Sequence, residues 1–175
     1  QSRLATPTIT DPTSTTEMLT PTSKRYGPHH GPQSPMLAGT GGYDINGDGL
    51  LANSYHTGRT SCVDCHGREG VRDGGHTLWP NEAGCNIPAC HDGAVDGFDY
   101  EGKQTIIHEN ETELLNKLIS AGVMDSSGYC IPNVAYSQKM LAVVYNFKFV
   151  EEDRSSGVHN FKLANGLLED GIGYL

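Results

Sequence analysis

Two cysteines and a histidine lie close together in the segment Cys62-Val-Asp-Cys65-His66. Two thiols three positions apart, with a histidine directly after the second, form the C-x-x-C-H pattern that attaches a c-type haem. In such a site both thiols add to the vinyl groups of the haem, and the imidazole binds the iron as an axial ligand. The pattern therefore predicts a haem-attachment site at Cys62, Cys65 and His66.

A second segment, Cys85-Asn-Ile-Pro-Ala-Cys90-His91, repeats the order of cysteine, cysteine and histidine. Four residues separate its thiols instead of two, so the loop between them must bulge if both are to reach one macrocycle. We interpret Cys85, Cys90 and His91 as a second, atypical attachment site.

Zinc and disulfides are alternative interpretations of the same cysteines. The two cysteine pairs are separated by about the 15–20 residues that are typical of a zinc ribbon. A closed four-thiolate zinc site has no need of the histidine that follows each pair, so the histidines favour haem. An exported chain with five cysteines could also form disulfides.

Further histidines could supply a second axial ligand to each iron. Low-spin electron-transfer haems commonly take this ligand from elsewhere in the chain. The chain has only four methionines, so we expect bis-histidine ligation, which gives lower reduction potentials than methionine ligation. The six candidates are His29, His30, His56, His76, His108 and His159.

The segments that must position these side chains differ in composition. Residues 1–25 are rich in Thr, Ser and Pro, which predicts an N-terminal arm that is either extended and flexible, glycosylated, or packed on a neighbouring subunit. Residues 26–99 are dominated by loop-forming residues. Beyond them, apolar periodicity predicts helices over about 110–122, 133–150 and 160–168.

The overall composition limits the possible partners and the core. Hydrophobic residues make up 36% of the chain and 22 of its 175 residues are Gly, so we expect a cofactor to supply part of the apolar interior. A net charge of −9 argues against nucleic-acid binding and favours basic partners. The sequence contains no run of about 20 apolar residues, which a membrane-spanning helix would need. We expect an exported chain whose signal peptide has been removed.

Several segments, in their order along the chain, resemble multihaem c-type cytochromes related to the pentahaem nitrite reductase group, which are extracellular or periplasmic proteins. The resemblance covers about residues 26–168. The segments are Gly27-Pro-His-His30-Gly-Pro-Gln33, Gly39-Thr-Gly-Gly-Tyr43, Asn53-Ser-Tyr-His56, Gly74-Gly-His76-Thr77 and Asp153-Arg-Ser-Ser-Gly157-Val-His159-Asn160.

The resemblance implies a ligand for each haem. His66 would share the first iron with His159, and His91 would share the second with His56. His76 and the His29/His30 pair are then left over, because the chain has no attachment motif upstream of Cys62. By analogy with polymeric multihaem cytochromes, these spare histidines could bind haems of a neighbouring chain in a conducting filament, or nanowire.

We therefore expect a mainly loop-built fold with a few α-helices, in which residues 26–175 form a small dihaem c-type cytochrome domain organised around its haems. The expected function is extracellular electron transfer with other cytochromes or extracellular acceptors, in a homo-oligomer or filament. A monomeric periplasmic carrier or an electron-transfer subunit of a multihaem reductase is the alternative. Enzymatic activity is not expected, because the lysine-ligated catalytic motif of the nitrite reductases is absent.

A calcium site is a further possibility. Asp44, Asn46 and Asp48 alternate as in the first half of a calcium-binding loop, but Tyr55 stands where the bidentate glutamate belongs. An Asx-rich turn explains the same residues equally well.

Overall fold

The computed structural model describes residues 8–50, 54–67 and 78–175. These residues form a mostly helical protein with long loops and one small two-stranded antiparallel sheet. The described elements are β1 (Met18–Leu19), α1 (Gln33–Ala38), α2 (Cys62–His66), α3 (Glu82–Cys85), a 3₁₀ turn (Tyr100–Gly102), α4 (Lys103–Ser120), β2 (Tyr136–Ser137), α5 (Gln138–Asp153) and α6 (Phe161–Tyr174).

Helices α4, α5 and α6 form the hydrophobic core. Helix α5 lies at its centre, since apolar side chains are buried on nearly every side of it. Leu114 of α4, Leu141 of α5 and Leu167 of α6 are fully buried together. Each such side chain contributes roughly 1.5–3 kcal/mol to folding, so these three helices supply most of the stability.

The N-terminal segment docks on this helical unit. Strand β1 pairs with β2, with Met18 opposite Ser137 and Leu19 opposite Tyr136. Ile9 is buried, and the backbone N–H groups of the next two residues donate to the side chain of Gln138. These contacts lie within one chain, so the order of residues 8–25 is no argument for a partner subunit; residues 1–7 lie outside the described part.

The three predicted helices are present with different bounds. Helix α6 begins at Phe161, close to the predicted residue 160, but extends to Tyr174, and α5 begins at Gln138 instead of about residue 133. Helix α4 starts at Lys103, where Asp99 accepts hydrogen bonds from the backbone of Gln104 and Thr105, so the predicted start at residue 110 is wrong. Asn110 lies inside the helix and donates from its side chain to Asn165 of α6. Ordinary helix formers before residue 110 carry the helix further back than apolar periodicity shows.

Both cysteine motifs lie apart from the core. None of the described residues between 54 and 102 belongs to the main apolar cluster, which is built from the N-terminal segment, the loop before residue 50 and helices α4–α6. The core is therefore filled by side chains, whereas the described residues of the segment that carries the motifs form no comparable apolar cluster. Within the described residues, no helix is both long and apolar enough to cross a bilayer.

Candidate functional site

The first cysteine motif forms a short helix of its own. Cys62, Cys65 and His66 are the first, fourth and fifth residues of α2, a spacing that brings them to one side of a helical turn. The carboxylate of Asp64 accepts hydrogen bonds from the backbone N–H and the hydroxyl of Ser61, which fixes the start of this helix. One short turn thus holds all three side chains of the predicted attachment site.

The second motif reaches a similar arrangement with a longer loop. Helix α3 ends at Cys85, and the backbone N–H of His91 donates to the carbonyl of Cys85 at 3.0 Å. This bond links the histidine to the first cysteine as an i→i−4 bond would in a C-x-x-C-H helix. Asn86 holds the loop closed, because its side chain accepts from the N–H of Val95 and donates to the carbonyl of the same residue.

The two motifs pack directly against each other. The backbone N–H of Asn81 donates to the carbonyl of Cys65 at 3.1 Å, which ties the start of α3 to α2. Gly84 is buried at the contact, and a Cβ atom there would lie only 2.7 Å from the carbonyl oxygen of Asp64. The close approach of α2 and α3 therefore depends on a glycine at this position.

Four histidines lie in two facing pairs. The ring centroids of His66 and His159 are 6.3 Å apart, and those of His56 and His91 are 6.4 Å apart. In each pair one ring follows a cysteine motif and the other comes from a distant loop. These are the same two pairs that the resemblance to multihaem cytochromes implies.

Hydrogen bonds orient three of these imidazoles. Nδ1 of His56 bonds to the carbonyl of Val158 at 2.8 Å, and Nδ1 of His66 to the carbonyl of Leu78 at 2.6 Å. Nδ1 of His159 bonds to the carboxylate of Asp153 at 2.7 Å. Carbonyl and carboxylate oxygens only accept, so each Nδ1 carries the proton and each Nε2 keeps its lone pair free for a metal.

The spacing of the pairs fits an iron between two imidazoles. With metal–imidazole bonds of about 2.0–2.1 Å, two rings on opposite sides of one metal have centroids about 6 Å apart. The separations of 6.3 and 6.4 Å match this requirement. Direct stacking of two rings would bring them closer, as in the adjacent His29 and His30, whose centroids are 4.0 Å apart.

Exposed apolar side chains lie within and next to the first motif along the chain. Tyr55, Val63, Leu78 and Trp79 are between 59% and 81% exposed, and they are four of the seven large exposed apolar residues in the described chain. A bound macrocycle would cover apolar surface of this kind. The residues present therefore fit a haem in both donor chemistry and surroundings.

In the structure the cysteines are neither joined in disulfides nor gathered into a four-thiolate group. All five are free thiols, and within the described part of the chain no three of them bring their sulfurs within 4.8 Å of one another. Burial raises the pKa of both Cys65 and Cys85, and the neighbouring thiols add to the effect. Because zinc binds thiolates in a tight tetrahedron, this arrangement does not match a zinc ribbon.

A cavity of about 290 Å³ opens beside the second histidine pair. Its wall includes His56, His91 and four aromatic residues, Tyr55, Phe98, Tyr100 and Phe161. The ring of Tyr100 lies edge-on to that of His91, with centroids 4.6 Å apart. An aromatic cavity next to two imidazoles would suit the apolar edge of a macrocycle.

The other described histidines, His29, His30 and His108, belong to neither pair. His29, His30 and Glu152 form a group whose possible ligand atoms lie within 4.8 Å of one another at the surface. His108 is exposed on α4 and lies 3.5 Å from the carboxylate of Glu111. His76 lies outside the described residues.

The possible calcium loop has the bonding of an Asx-rich turn. One carboxylate oxygen of Asp44 accepts from the N–H groups of Asn46 and Gly47, and the other accepts from Gly49. These bonds lower the pKa of Asp44 against the opposing effect of burial. Asn46 donates to Asp170 of α6, which fastens the loop to the core. Calcium binding by this loop stays a prediction.

Sequence reasoning did not identify the groups that orient the imidazoles. Asp153 stands at the end of α5, six residues before His159, and a carboxylate near a proposed iron ligand is a signal that could have been followed. The carbonyls of Leu78 and Val158 could not have been found, because any residue can present a carbonyl.

Comparison with known proteins gives no assignment: no protein-family model, no curated protein and no solved structure matches the chain.

Proposed function

We propose that the protein is a dihaem c-type cytochrome that transfers electrons. The observation that supports this most directly is that the histidine of each cysteine motif lies next to a second imidazole. The ring centroids are 6.3 Å apart for His66 and His159 and 6.4 Å apart for His91 and His56. Each motif pairs with a histidine from a different part of the chain, so two independent sites have the same arrangement.

In this proposal the cysteines would attach the haems, and other groups of the chain would orient the imidazoles that bind the iron. Cys62 and Cys65 would hold one haem and Cys85 and Cys90 the other, through bonds to the vinyl groups. When bound, each haem supplies an iron that accepts and releases one electron. The hydrogen bonds at Nδ1 would hold the imidazoles in place. They would thereby limit the movement of these ligands when the iron is oxidised or reduced.

Bis-histidine ligation favours electron transfer over catalysis. An iron that binds a substrate needs an open coordination position, and both axial positions would be filled here by His66 with His159 and by His56 with His91. The contact of α2 with α3 would also keep the two macrocycles near each other, since each is attached through one of these helices.

Extracellular or periplasmic location is part of this proposal. Covalent haem attachment occurs outside the cytoplasm, and a net charge of −9 suits basic electron-transfer partners. Assembly into a conducting filament, with His30 or His76 binding a haem of the next subunit, remains a prediction from the resemblance. The surface position of the His29/His30 pair is compatible with it.

Absorption spectra of ligand variants test the proposal. Mature protein should show a ferric spectrum of six-coordinate low-spin haem, and His159→Ala and His56→Ala should each convert one of two haems to a high-spin form. His108→Ala is the matched control, because His108 is exposed, belongs to neither histidine pair and contacts Glu111 instead, and the spectrum of the variant should equal that of the unaltered protein. A low-spin spectrum that survives both ligand substitutions would contradict the proposed axial pairs.

A further inference from the structure

The two histidine pairs differ in the groups that accept the Nδ1 hydrogen bonds of their imidazoles. Nδ1 of His159 bonds to the carboxylate of Asp153, whereas Nδ1 of His56 and of His66 bond to neutral backbone carbonyls. The side chain of Asp153 is 1% exposed and that of His159 is 19% exposed. The first pair therefore has a buried negative charge in direct contact with one imidazole, and no carboxylate bond of this kind is found for His56.

A short turn holds Asp153 in this position. Helix α5 ends at Asp153, and the next residue, Arg154, takes a left-handed conformation with φ of 58° that reverses the chain. The hydroxyl of Ser155 donates to the second carboxylate oxygen of Asp153 and accepts from the N–H of His159. The carboxylate and the imidazole are thus fixed to each other by three hydrogen bonds in a seven-residue segment.

A carboxylate bonded to Nδ1 changes the iron ligand electronically. It draws the Nδ1 proton towards itself, so the imidazole becomes a stronger electron donor at Nε2. Stronger donation stabilises the ferric state relative to the ferrous state, and a buried negative charge nearby acts in the same direction. Both effects lower the reduction potential of an iron bound to His159.

The charges around the second pair act the other way. Lys103 and Lys162 line the cavity that contains His56 and His91. The ammonium group of Lys103 lies 5.1 Å from the ring centroid of Tyr100, which in turn contacts His91. The ion pair between Lys103 and Glu101 offsets part of this positive charge, so the carboxylate at the first pair is the larger difference.

From this asymmetry we infer that Asp153 is a positioning residue that makes the His66/His159 haem the lower-potential of the two and gives electron transfer a direction. The inference rests on the proposed function. With both haems bound, one electron would pass from the first iron, which would be oxidised from ferrous to ferric, to the second, which would be reduced from ferric to ferrous. No proton is taken up or released, and an external one-electron reductant of still lower potential supplies the electron.

Redox titration of the mature protein, followed by absorption, tests this inference. The double variants Cys85→Ser/Cys90→Ser and Cys62→Ser/Cys65→Ser each keep one haem and assign the two potentials, and the first haem should have the lower one. Asp153→Asn should raise that potential enough to change the ratio of reduced to oxidised haem about tenfold at a fixed ambient potential, which is 59 mV for a one-electron couple. The potential of the second haem should stay where it is.

Glu152→Gln is the matched control. It also removes one negative charge at the end of α5, but the side chain of Glu152 lies beside His29 rather than His159, so it should leave both potentials nearly unchanged. Asp153→Glu keeps the carboxylate and should restore part of the shift caused by Asp153→Asn.

A second variant, Ser155→Ala, tests the role of Asp153 if Asp153→Asn does not retain its first haem. Ser155→Ala removes a hydrogen bond to the carboxylate of Asp153 and leaves it a stronger acceptor for His159, so the potential of the first haem should fall. Equal potentials in the unaltered protein, or a first-haem potential that neither variant moves, would overturn the inference. Absence of a haem spectrum from the unaltered protein would instead refute the proposed function itself.

Discussion

Substitution of Gly84 by alanine should loosen the site without unfolding the helical core. The added Cβ would lie 2.7 Å from the carbonyl oxygen of Asp64 and 3.3 Å from the Cα atom of Cys65. The first distance falls about 0.7 Å short of the 3.4 Å at which ordinary contact begins. Both neighbours are backbone atoms of α2, so the overlap can be relieved only by moving α3 away from it.

The expected cost follows from two opposing effects. Overpacking of this kind costs about 1–3 kcal/mol, and alanine recovers roughly 0.8–1 kcal/mol through its better helix propensity. We therefore expect Gly84→Ala to destabilise the contact between α2 and α3 by up to about 2 kcal/mol. Because the motif segment lies outside the main core, the loss should be local.

Urea titration with two probes separates the local effect from the global one. The haem Soret band follows unfolding of the motif segment, and far-ultraviolet circular dichroism follows unfolding of α4–α6. Gly84→Ala should lower the urea midpoint measured by the Soret band and leave the midpoint measured by circular dichroism unchanged. Gly166→Ala in α6 is the matched control, since a Cβ there meets nothing within 4 Å, and it should lower neither midpoint. A Soret midpoint for Gly84→Ala equal to or above that of the unaltered protein would refute the packing argument.

Two further predictions concern the helical unit. Gln138→Ala removes the acceptor for the backbone N–H groups of Thr10 and Asp11 and should lower the free energy of unfolding by about 2–3 kcal/mol in urea, while the exposed Thr16→Ala should change it little. Burial raises the pKa of Cys130 to about 11, above the usual thiol value, so its protonated form favours folding. Stability from this group is therefore present below the thiol pKa of the unfolded chain and is lost as the pH rises towards 11, by up to about 2 kcal/mol. Cys130→Ala should flatten this part of the stability–pH curve, and an identical curve for the variant would contradict it.

The sequence predicts the local parts of the site better than its surroundings. Spacing alone identifies Cys62, Cys65 and His66 as one cluster, because a helical turn brings such positions together whatever the rest of the fold does. The bulge in the second motif also follows from its two extra residues, although the bond from His91 to Cys85 that closes it does not. The pairing of each motif with a distant histidine came only from the resemblance, since no local pattern links residue 66 to residue 159.

Other features depend on tertiary contacts that composition does not encode. The carboxylate of Asp99 accepts hydrogen bonds from the first turn of α4, and this aspartate stands among many others in a loop-rich segment. The N-terminal segment has the composition of an arm, but a few specific contacts to Gln138 and β2 dock it on the core. Low overall hydrophobicity suggested a core filled by a cofactor, whereas the apolar residues are concentrated in α4–α6 and fill that core themselves.

Covalent attachment of two haems is tested most directly by the intact mass of the chain after production in a host that attaches c-type haems. A dihaem c-type cytochrome should have the mass of the polypeptide plus two haems. Each of the double variants Cys62→Ser/Cys65→Ser and Cys85→Ser/Cys90→Ser should lack one of these haems. The mass of the bare polypeptide, with no Soret absorption, would contradict it.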